Sequence, residues 1–209
     1  MPKGEERDFY DEKEVMPSER REAYYNDKLR EIVQFAYENA PAIKDMLNKA
    51  SIIPSQIQSV KDLEKLPVTK KDNMIALEKA SLPFGGFLAV PVSSVERIYT
   101  SPGPIYEPSP PTETLVKSFY AAGLRAGDIA TNTFSYHLTP VGFALDEALR
   151  KLGVIVVPTG PGNTELQIQI MHDLKVTAYV GTPSFLITII ERAEKLGYNF
   201  RKDFSLQHG

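Results

Sequence analysis

Four short stretches of this 209-residue chain carry polar or aromatic groups that could bind a ligand. They span residues 101–111, 134–139, 158–163 and 181–184, and each follows a segment with strand character. In open parallel sheets, ligands bind at the carboxyl ends of the strands. We therefore expect the four stretches to gather around one cleft that suits an anionic ligand.

The first stretch reads SPGPIYEPSPP and directly follows Thr100. Hydroxyls and backbone N–H groups in such a loop can point at phosphate oxygens, which makes Ser101 and Gly103 candidates for phosphate binding. The loop has no lysine to neutralise a triphosphate, and Glu107 would repel one. A connector stiffened by proline is the alternative interpretation.

The other three stretches contain aromatic residues, glycines and helix starts. Phe134 and Tyr136 could form the wall of a pocket for a flat organic acid, or they could be core or capping residues. The sequence Gly160–Asn163 is typical of a turn followed by a helix cap, and it is neither a Walker loop nor a dinucleotide-binding motif. Thr182 and Pro183 likewise fit the start of a helix.

Composition excludes several classes of chemistry. The chain has no cysteine, its three histidines are not paired with one another, and His137 has no acidic neighbour at ligand spacing, so we expect no thiol catalysis and no metal site. The net charge of -3 offers no basic face for nucleic acid. No apolar stretch is long enough to cross a membrane, and the polar N-terminus does not resemble a signal peptide, so we expect a cytoplasmic protein.

The order of elements predicts an α/β fold. We expect a mobile arm over residues 1–20, a helical segment over 21–95, and an incomplete α/β portion over 96–209. In this last portion, strands alternate with helices at the spacing of a mostly parallel sheet with flanking helices. Its strands are predicted at 97–100, 128–133, 154–157 and 176–180, and its helices at 112–122, 140–152, 164–174 and 184–196.

Two further expectations concern the sheet. The uniformly apolar strand 154–157 should be buried on both faces. The tail 204–209 begins like another buried strand. A chain rarely ends where its last strand would leave an exposed edge of a parallel sheet. We therefore expect the chain to be a piece of a longer protein.

Five features follow one another along the chain. They are the opening helix, LEKLPVTKKD at 63–72, PFG at 83–85, GPGNTE at 160–165 with Gln167, and TPS at 182–184. In this order they resemble the phenylacetate–CoA ligase family, within the adenylate-forming superfamily, whose corresponding motifs include DLxKLPxTxKxD and GGNTExQ. The similarity runs from near Tyr24 to the last residue.

The resemblance implies a reaction and its partners. ATP and a small carboxylic acid would give an acyl-adenylate, and coenzyme A would then displace AMP, with magnesium assisting. Family members often form homodimers. The resemblance implies phosphate binding by Thr100, Ser101 and Gly103. It also implies that the substrate is bordered by Phe134, Tyr136, His137, Thr139, Gly181, Thr182 and Pro183.

Two departures from the family pattern leave alternatives open. The family loop SSGTTGKP retains only Ser101, Gly103 and Pro108 here, which puts the usual mode of ATP binding in question. The family's catalytic lysine, magnesium ligand and ribose-binding aspartate would lie beyond Gly209, so we expect this chain alone to be inactive. The alternative is a non-catalytic protein that binds an acyl group, a nucleotide or a partner. Thr139, which is small, could also indicate a differently shaped acid.

Overall fold

The computed structural model describes residues 8–209, which divide into two compact units. One unit contains residues 11–109, and the other contains Pro110–Gly209 together with residues 8–10. The predicted mobile arm lies partly outside the described residues. The first helix begins at Ser18, three residues before the predicted start at Arg21.

The unit of residues 11–109 contains three helices, α1 (Ser18–Asn39), α2 (Pro41–Lys49) and α3 (Lys71–Ala80). Val33, Leu47 and Ile57 are buried together and form its core. Ser59 occupies the N-cap position of the 3-10 turn Val60–Lys65, where Asp62 accepts hydrogen bonds from the Ser59 backbone N–H (2.8 Å) and hydroxyl (3.0 Å). The N-cap position of α3 is Lys70.

The same unit ends in a β-hairpin. Strand β1 (Ile98–Ser101) pairs antiparallel with β2 (Ile105–Pro108). The strand predicted at 97–100 is therefore present, but its assignment to the parallel sheet is wrong. The stretch after it turns back at once and forms the second strand of the hairpin.

The unit of residues 110–209 contains the parallel sheet. Its strands are β3 (Ile129–Asn132), β4 (Ile155–Val157) and β5 (Ala178–Val180), in the order β4-β3-β5. Both pairings are parallel. The helices are α4 (Glu113–Ala121), α5 (Pro140–Leu152), α6 (Thr164–Asp173), α7 (Pro183–Lys195) and α8 (Phe200–Asp203). The α/β class with a parallel sheet and flanking helices is confirmed.

Each face of this sheet carries its own apolar cluster. Ala130 and Val180 pack with Leu149 of α5, whereas Tyr179 packs with Ile168 of α6 and with α7. Neighbouring residues of a strand point to opposite faces, which places α5 on one face and α6 with α7 on the other. The central strand β3 is consequently covered on both sides.

The edges of the sheet differ from the prediction at one place. Strand β4 lies at an edge, and Ile155 is 57% exposed, so burial of 154–157 on both faces is wrong. At the other edge, His208 forms a parallel bridge with Ala178, and its carbonyl accepts a hydrogen bond from the Tyr179 N–H at 2.8 Å. Within the tail 204–209, His208 alone forms a bridge to the sheet, so a full strand there is not observed. None of the helices within residues 8–209 is both long and apolar enough to cross a membrane.

Helix α7 offers a matched test of this core. Ile189 is fully buried, whereas Ile187 on the same helix is 56% exposed. We expect Ile189→Ala to lower the free energy of unfolding by about 2–5 kcal/mol, because it removes buried methyl groups and leaves a cavity. Ile187→Ala should change it by about 0.5 kcal/mol or less. Urea unfolding of both variants checks this, and equal losses would contradict the assigned burial.

Candidate functional site

The loops after β3, β4 and β5 lie at the same edge of the parallel sheet. Hydrogen bonds join them directly to one another's strands. The Gly160 N–H, after β4, donates to the Asn132 carbonyl at 3.0 Å, and the Thr133 N–H, after β3, donates to the Val180 carbonyl at 2.9 Å. Three of the four predicted stretches are therefore brought together.

Asn132 holds the loop after the central strand in place. Its side chain is fully buried, and its Nδ2 donates to the Tyr136 hydroxyl (2.8 Å) and to the Gly142 carbonyl (2.9 Å). Its Oδ1 accepts from the Phe134 N–H at 3.2 Å. One amide thus fixes both aromatic residues of the predicted site and the first turn of α5. Sequence reasoning missed Asn132, although an amide side chain at the carboxyl end of a predicted parallel strand was a usable signal.

The Tyr136 hydroxyl is fully engaged with protein groups. It accepts from Asn132 and donates to Oδ2 of Asp146 at 3.2 Å, while Asp146 also pairs with Arg150 at 2.7 Å. Burial, followed by the negative charge of Asp146, raises the pKa of Tyr136 well above its usual value. The tyrosine ring meets Phe143 edge to face at 5.3 Å. Tyr136 is thus available to a ligand as an aromatic surface rather than as a hydrogen-bonding group.

Two glycines make the close packing of these loops possible. A Cβ on Gly142 would collide with the Ser135 carbonyl, and one on Gly181 would collide with Thr133 Oγ1 and the Tyr179 hydroxyl. The Tyr179 hydroxyl donates to the Thr182 carbonyl at 3.1 Å, and burial raises the pKa of Tyr179. The conformation at 181–182 therefore depends on the absence of a side chain at Gly181.

The loop after β4 is held by a residue that sequence reasoning treated only as part of a motif. Gln167 of α6 is buried, and its Nε2 donates to the carbonyls of Gly160 (2.9 Å) and Gly162 (2.6 Å). Asn163 occupies the N-cap position in a left-handed conformation, but its side chain makes no capping hydrogen bond. The prediction that Asn163 caps the helix is therefore correct for position only.

The remaining predicted residues lie at the rim of this edge. His137 is exposed, with its N–H donating to Ser135 Oγ at 3.1 Å. Thr139 and Thr182 occupy the N-cap positions of α5 and α7, and Pro183 is the first residue of α7. Within residues 8–209, no group of three or more histidine, aspartate or glutamate side chains could hold a metal ion.

The fourth predicted stretch lies in the other unit and has a different structure. Thr100 and Ser101 belong to β1, and Gly103 lies in the turn of the hairpin. Ser101 Oγ donates to Glu107 Oε1 at 2.6 Å. The prediction that this stretch follows a strand of the parallel sheet is wrong. Its one candidate serine hydroxyl is already bonded to a carboxylate.

The raised pKa of Tyr136 predicts a pH dependence of stability. In the folded protein the phenol binds its proton more tightly than in the unfolded chain, where the pKa is about 10. The associated stabilisation is complete below about pH 10 and is lost as the pH rises through the folded pKa. Urea unfolding between about pH 8 and pH 11 should therefore show a steeper loss for the unsubstituted protein than for Tyr136→Phe. Tyr25→Phe, at an exposed site, controls for loss of a hydroxyl, and equal slopes for Tyr136→Phe and the unsubstituted protein would contradict the prediction.

Comparison with known proteins gives relatives along nearly the whole chain. A phenylacetate-coenzyme A ligase of Thermus thermophilus is 30% identical over 96% of this chain and 46% of its own length. One from Aromatoleum evansii is 33% identical over 82% of this chain and 40% of its own length. The chain thus spans less than half the length of these curated relatives. No protein-family model matches it.

Solved structures agree with the sequence relatives. A 2-hydroxyisobutyryl-CoA ligase in the postadenylation state, in complex with R3-HIB-AMP, superposes with a TM-score of 0.87 and 25% identity over 93% of this chain and 43% of its own. The open conformation of that ligase, in complex with 2-HIB-AMP and CoA, has a TM-score of 0.85 and 25% identity, over 91% of this chain and 44% of its own. In both sequence and fold, therefore, the chain belongs to the phenylacetate–CoA ligase family of adenylate-forming enzymes, as a partial portion.

Proposed function

We propose that the complete protein is an acyl- or aryl-CoA ligase. It would join ATP and a carboxylic acid into an acyl-adenylate with release of pyrophosphate, and the thiol of coenzyme A would then displace AMP. The observation that carries this proposal is the meeting of the loops after β3, β4 and β5 at one sheet edge. Similar solved ligases contain an acyl-AMP, and one of them also contains CoA.

The acyl group of the substrate would lie against the loop after β3. Phe134 and Tyr136 would supply aromatic surface, and His137 and Thr139 would border it. Gly181, Thr182 and Pro183 would frame the same edge from β5. The two hydrogen bonds of the Tyr136 hydroxyl support this role. They orient the ring before a ligand binds, so the side chain loses little conformational entropy on binding.

The phosphates of ATP would contact Thr100, Ser101 and Gly103 of the hairpin. The hairpin offers few backbone donors, since Pro102 and Pro104 have no N–H. Ser101 would have to exchange its bond to Glu107 for a phosphate oxygen. Magnesium and the lysine that supports adenylation would come from outside this chain, so the chain alone would not complete the reaction. Cytoplasmic location and pairing of two copies stay predictions.

One observation favours a second function. The bond between Ser101 and Glu107 places a negative charge where the phosphate loop of a ligase carries hydroxyls and a lysine. A protein with such a loop could keep the acyl-binding edge and lose adenylation. This alternative is a non-catalytic protein that binds an acyl group, a nucleotide or a partner.

Pyrophosphate exchange separates the two functions. With the complete protein, ATP and magnesium, a ligase should exchange labelled pyrophosphate into ATP only when a suitable carboxylate is present. Aromatic, branched and hydroxylated acids should be compared, because Thr139 leaves the shape of the acid open. The 209-residue chain should show no exchange. Absence of exchange by the complete protein with every acid would defeat the ligase proposal.

The hairpin assignment has its own test. If the phosphates approach Ser101, Glu107→Gln removes a like charge a few ångströms away, and the KM for ATP should fall about three- to tenfold. Glu96→Gln, at an exposed position before β1, is the matched control and should leave the KM for ATP unchanged. An unchanged KM for ATP in Glu107→Gln would show that the hairpin is not part of the phosphate site. The ligase proposal would then still be tested separately by pyrophosphate exchange.

A further inference from the structure

Gln167 is an unusual residue for the core of this unit. It is 1% exposed, and both of its side-chain hydrogen bonds go to the turn after β4 rather than to its own helix. Its Oε1 is buried and has no hydrogen-bond partner within residues 8–209. A buried acceptor without a partner is unfavourable, so an apolar side chain of this size would suit the core better. The presence of an amide here calls for a reason other than packing.

The two bonds fix the direction of the amide. A side-chain amide has two N–H donors on one side and an acceptor oxygen on the other. With the amide reversed, Oε1 would face the carbonyl oxygens of Gly160 and Gly162 and repel both. The NH2 group therefore points at the turn. Both glycines that supply these carbonyls have positive φ angles, +65° at Gly160 and +82° at Gly162. Glycine adopts this region without strain.

Gly160 connects this amide to the central strand. Its carbonyl accepts from Gln167, and its N–H donates to the Asn132 carbonyl at 3.0 Å. Asn132 then donates through its side chain to the Tyr136 hydroxyl at 2.8 Å. Three hydrogen bonds, linked through the covalent bonds of Gly160 and Asn132, thus connect α6 on one face of the sheet with Tyr136 beside α5 on the other face.

The geometry points to Gln167 as a positioning residue for the acyl subsite. It would set the turn after β4, and through Gly160 and Asn132 it would set the ring of Tyr136, without touching the substrate. This inference rests on the proposed function for the part that concerns catalysis. The part that concerns the turn stands on the hydrogen bonds alone.

Gln167→Glu tests the inference with the least change in shape. The substitution replaces the NH2 group by an oxygen that faces two carbonyl oxygens. The turn should therefore lose both of its hydrogen bonds to this side chain. Gln169→Glu makes the same change in charge at an exposed site of the same helix and is the matched control. In the complete ligase, we expect Gln167→Glu to lower kcat/KM for the carboxylate roughly 10- to 100-fold through displaced substrate contacts, with the KM for ATP within about twofold. Gln169→Glu should stay within about twofold for both substrates.

A double-substitution cycle with Tyr136→Phe distinguishes positioning from general destabilisation. If Gln167 acts through Tyr136, the effect of Gln167→Glu should be smaller in the Tyr136→Phe background, so that the two effects do not multiply. Gln169→Glu and Tyr136→Phe should multiply. If Gln167→Glu does not fold, Gln167→Met replaces it in the same cycle, because it keeps the side-chain length and removes both donors together with an acceptor oxygen that has no partner within residues 8–209.

Amide hydrogen exchange keeps this test separate from that of the reaction. In the 209-residue chain, Gln167→Glu should speed exchange in residues 158–163 and 134–139 relative to Gln169→Glu. Unchanged exchange there, or unchanged kinetics with only a lower Tm, would overturn the inference. Faster exchange in a complete protein that activates no carboxylate would support the positioning role and count against the proposed function alone.

Discussion

The buried amide of Asn132 is the constraint on which the candidate site depends. It sits at the tip of the central strand, where the side chain is closed off from water and every polar atom must find a partner within the protein. Its three hydrogen bonds fix the Phe134 backbone, the Tyr136 hydroxyl and the start of α5. Its own carbonyl receives the Gly160 N–H. A loop that would otherwise sample many conformations is thereby held in one, because any other would leave a buried amide unpaired.

The site edge is built differently from the rest of the same sheet. Away from the edge, α5 packs against leucine, alanine and valine, and α6 packs against valine, isoleucine and the ring of Tyr179, so the interactions are mainly apolar contacts. Near the edge, Thr131, Asn132 and Thr133 are buried in succession, and Gln167 is buried beside them in the loop network. Buried polar groups cost stability unless they are bonded, and Thr131 Oγ1 and Gln167 Oε1 have no partner in the described part of the chain. Local departures of this kind concentrate where a protein binds or reacts rather than where it is only packed.

Local signals predicted the elements well, and strand pairing, which local signals do not encode, accounts for the errors in the sheet. Helix α5 was predicted with its observed bounds, because Thr139, Pro140 and Gly153 mark its ends in the sequence. The hairpin was missed because the prolines around Ile105 and Tyr106 hid a strand whose pairing with β1 depends on no local pattern. The edge position of β4 follows from strand order, which an apolar run such as 154–157 does not encode. The roles of Asn132 and Gln167 were also missed, although their side-chain partners are close in sequence, because strand and helix patterns do not indicate which loop groups a buried amide will bond.

The electrostatics of the sheet edge explain how it could hold an anion without a lysine. The stretches 133–139, 158–163 and 181–184 contain no acidic residue, so no like charge stands within them. Helices α5, α6 and α7 all begin at this edge, each directly after one of these stretches. The N-terminus of a helix carries about half a positive charge, from N–H groups that have no partner in the helix. The hairpin offers the opposite environment, with Glu107 bonded to Ser101 and two prolines in place of donors. Charge therefore favours the carboxylate and adenylate part of the proposed chemistry at the strand tips, and it disfavours the triphosphate at the hairpin.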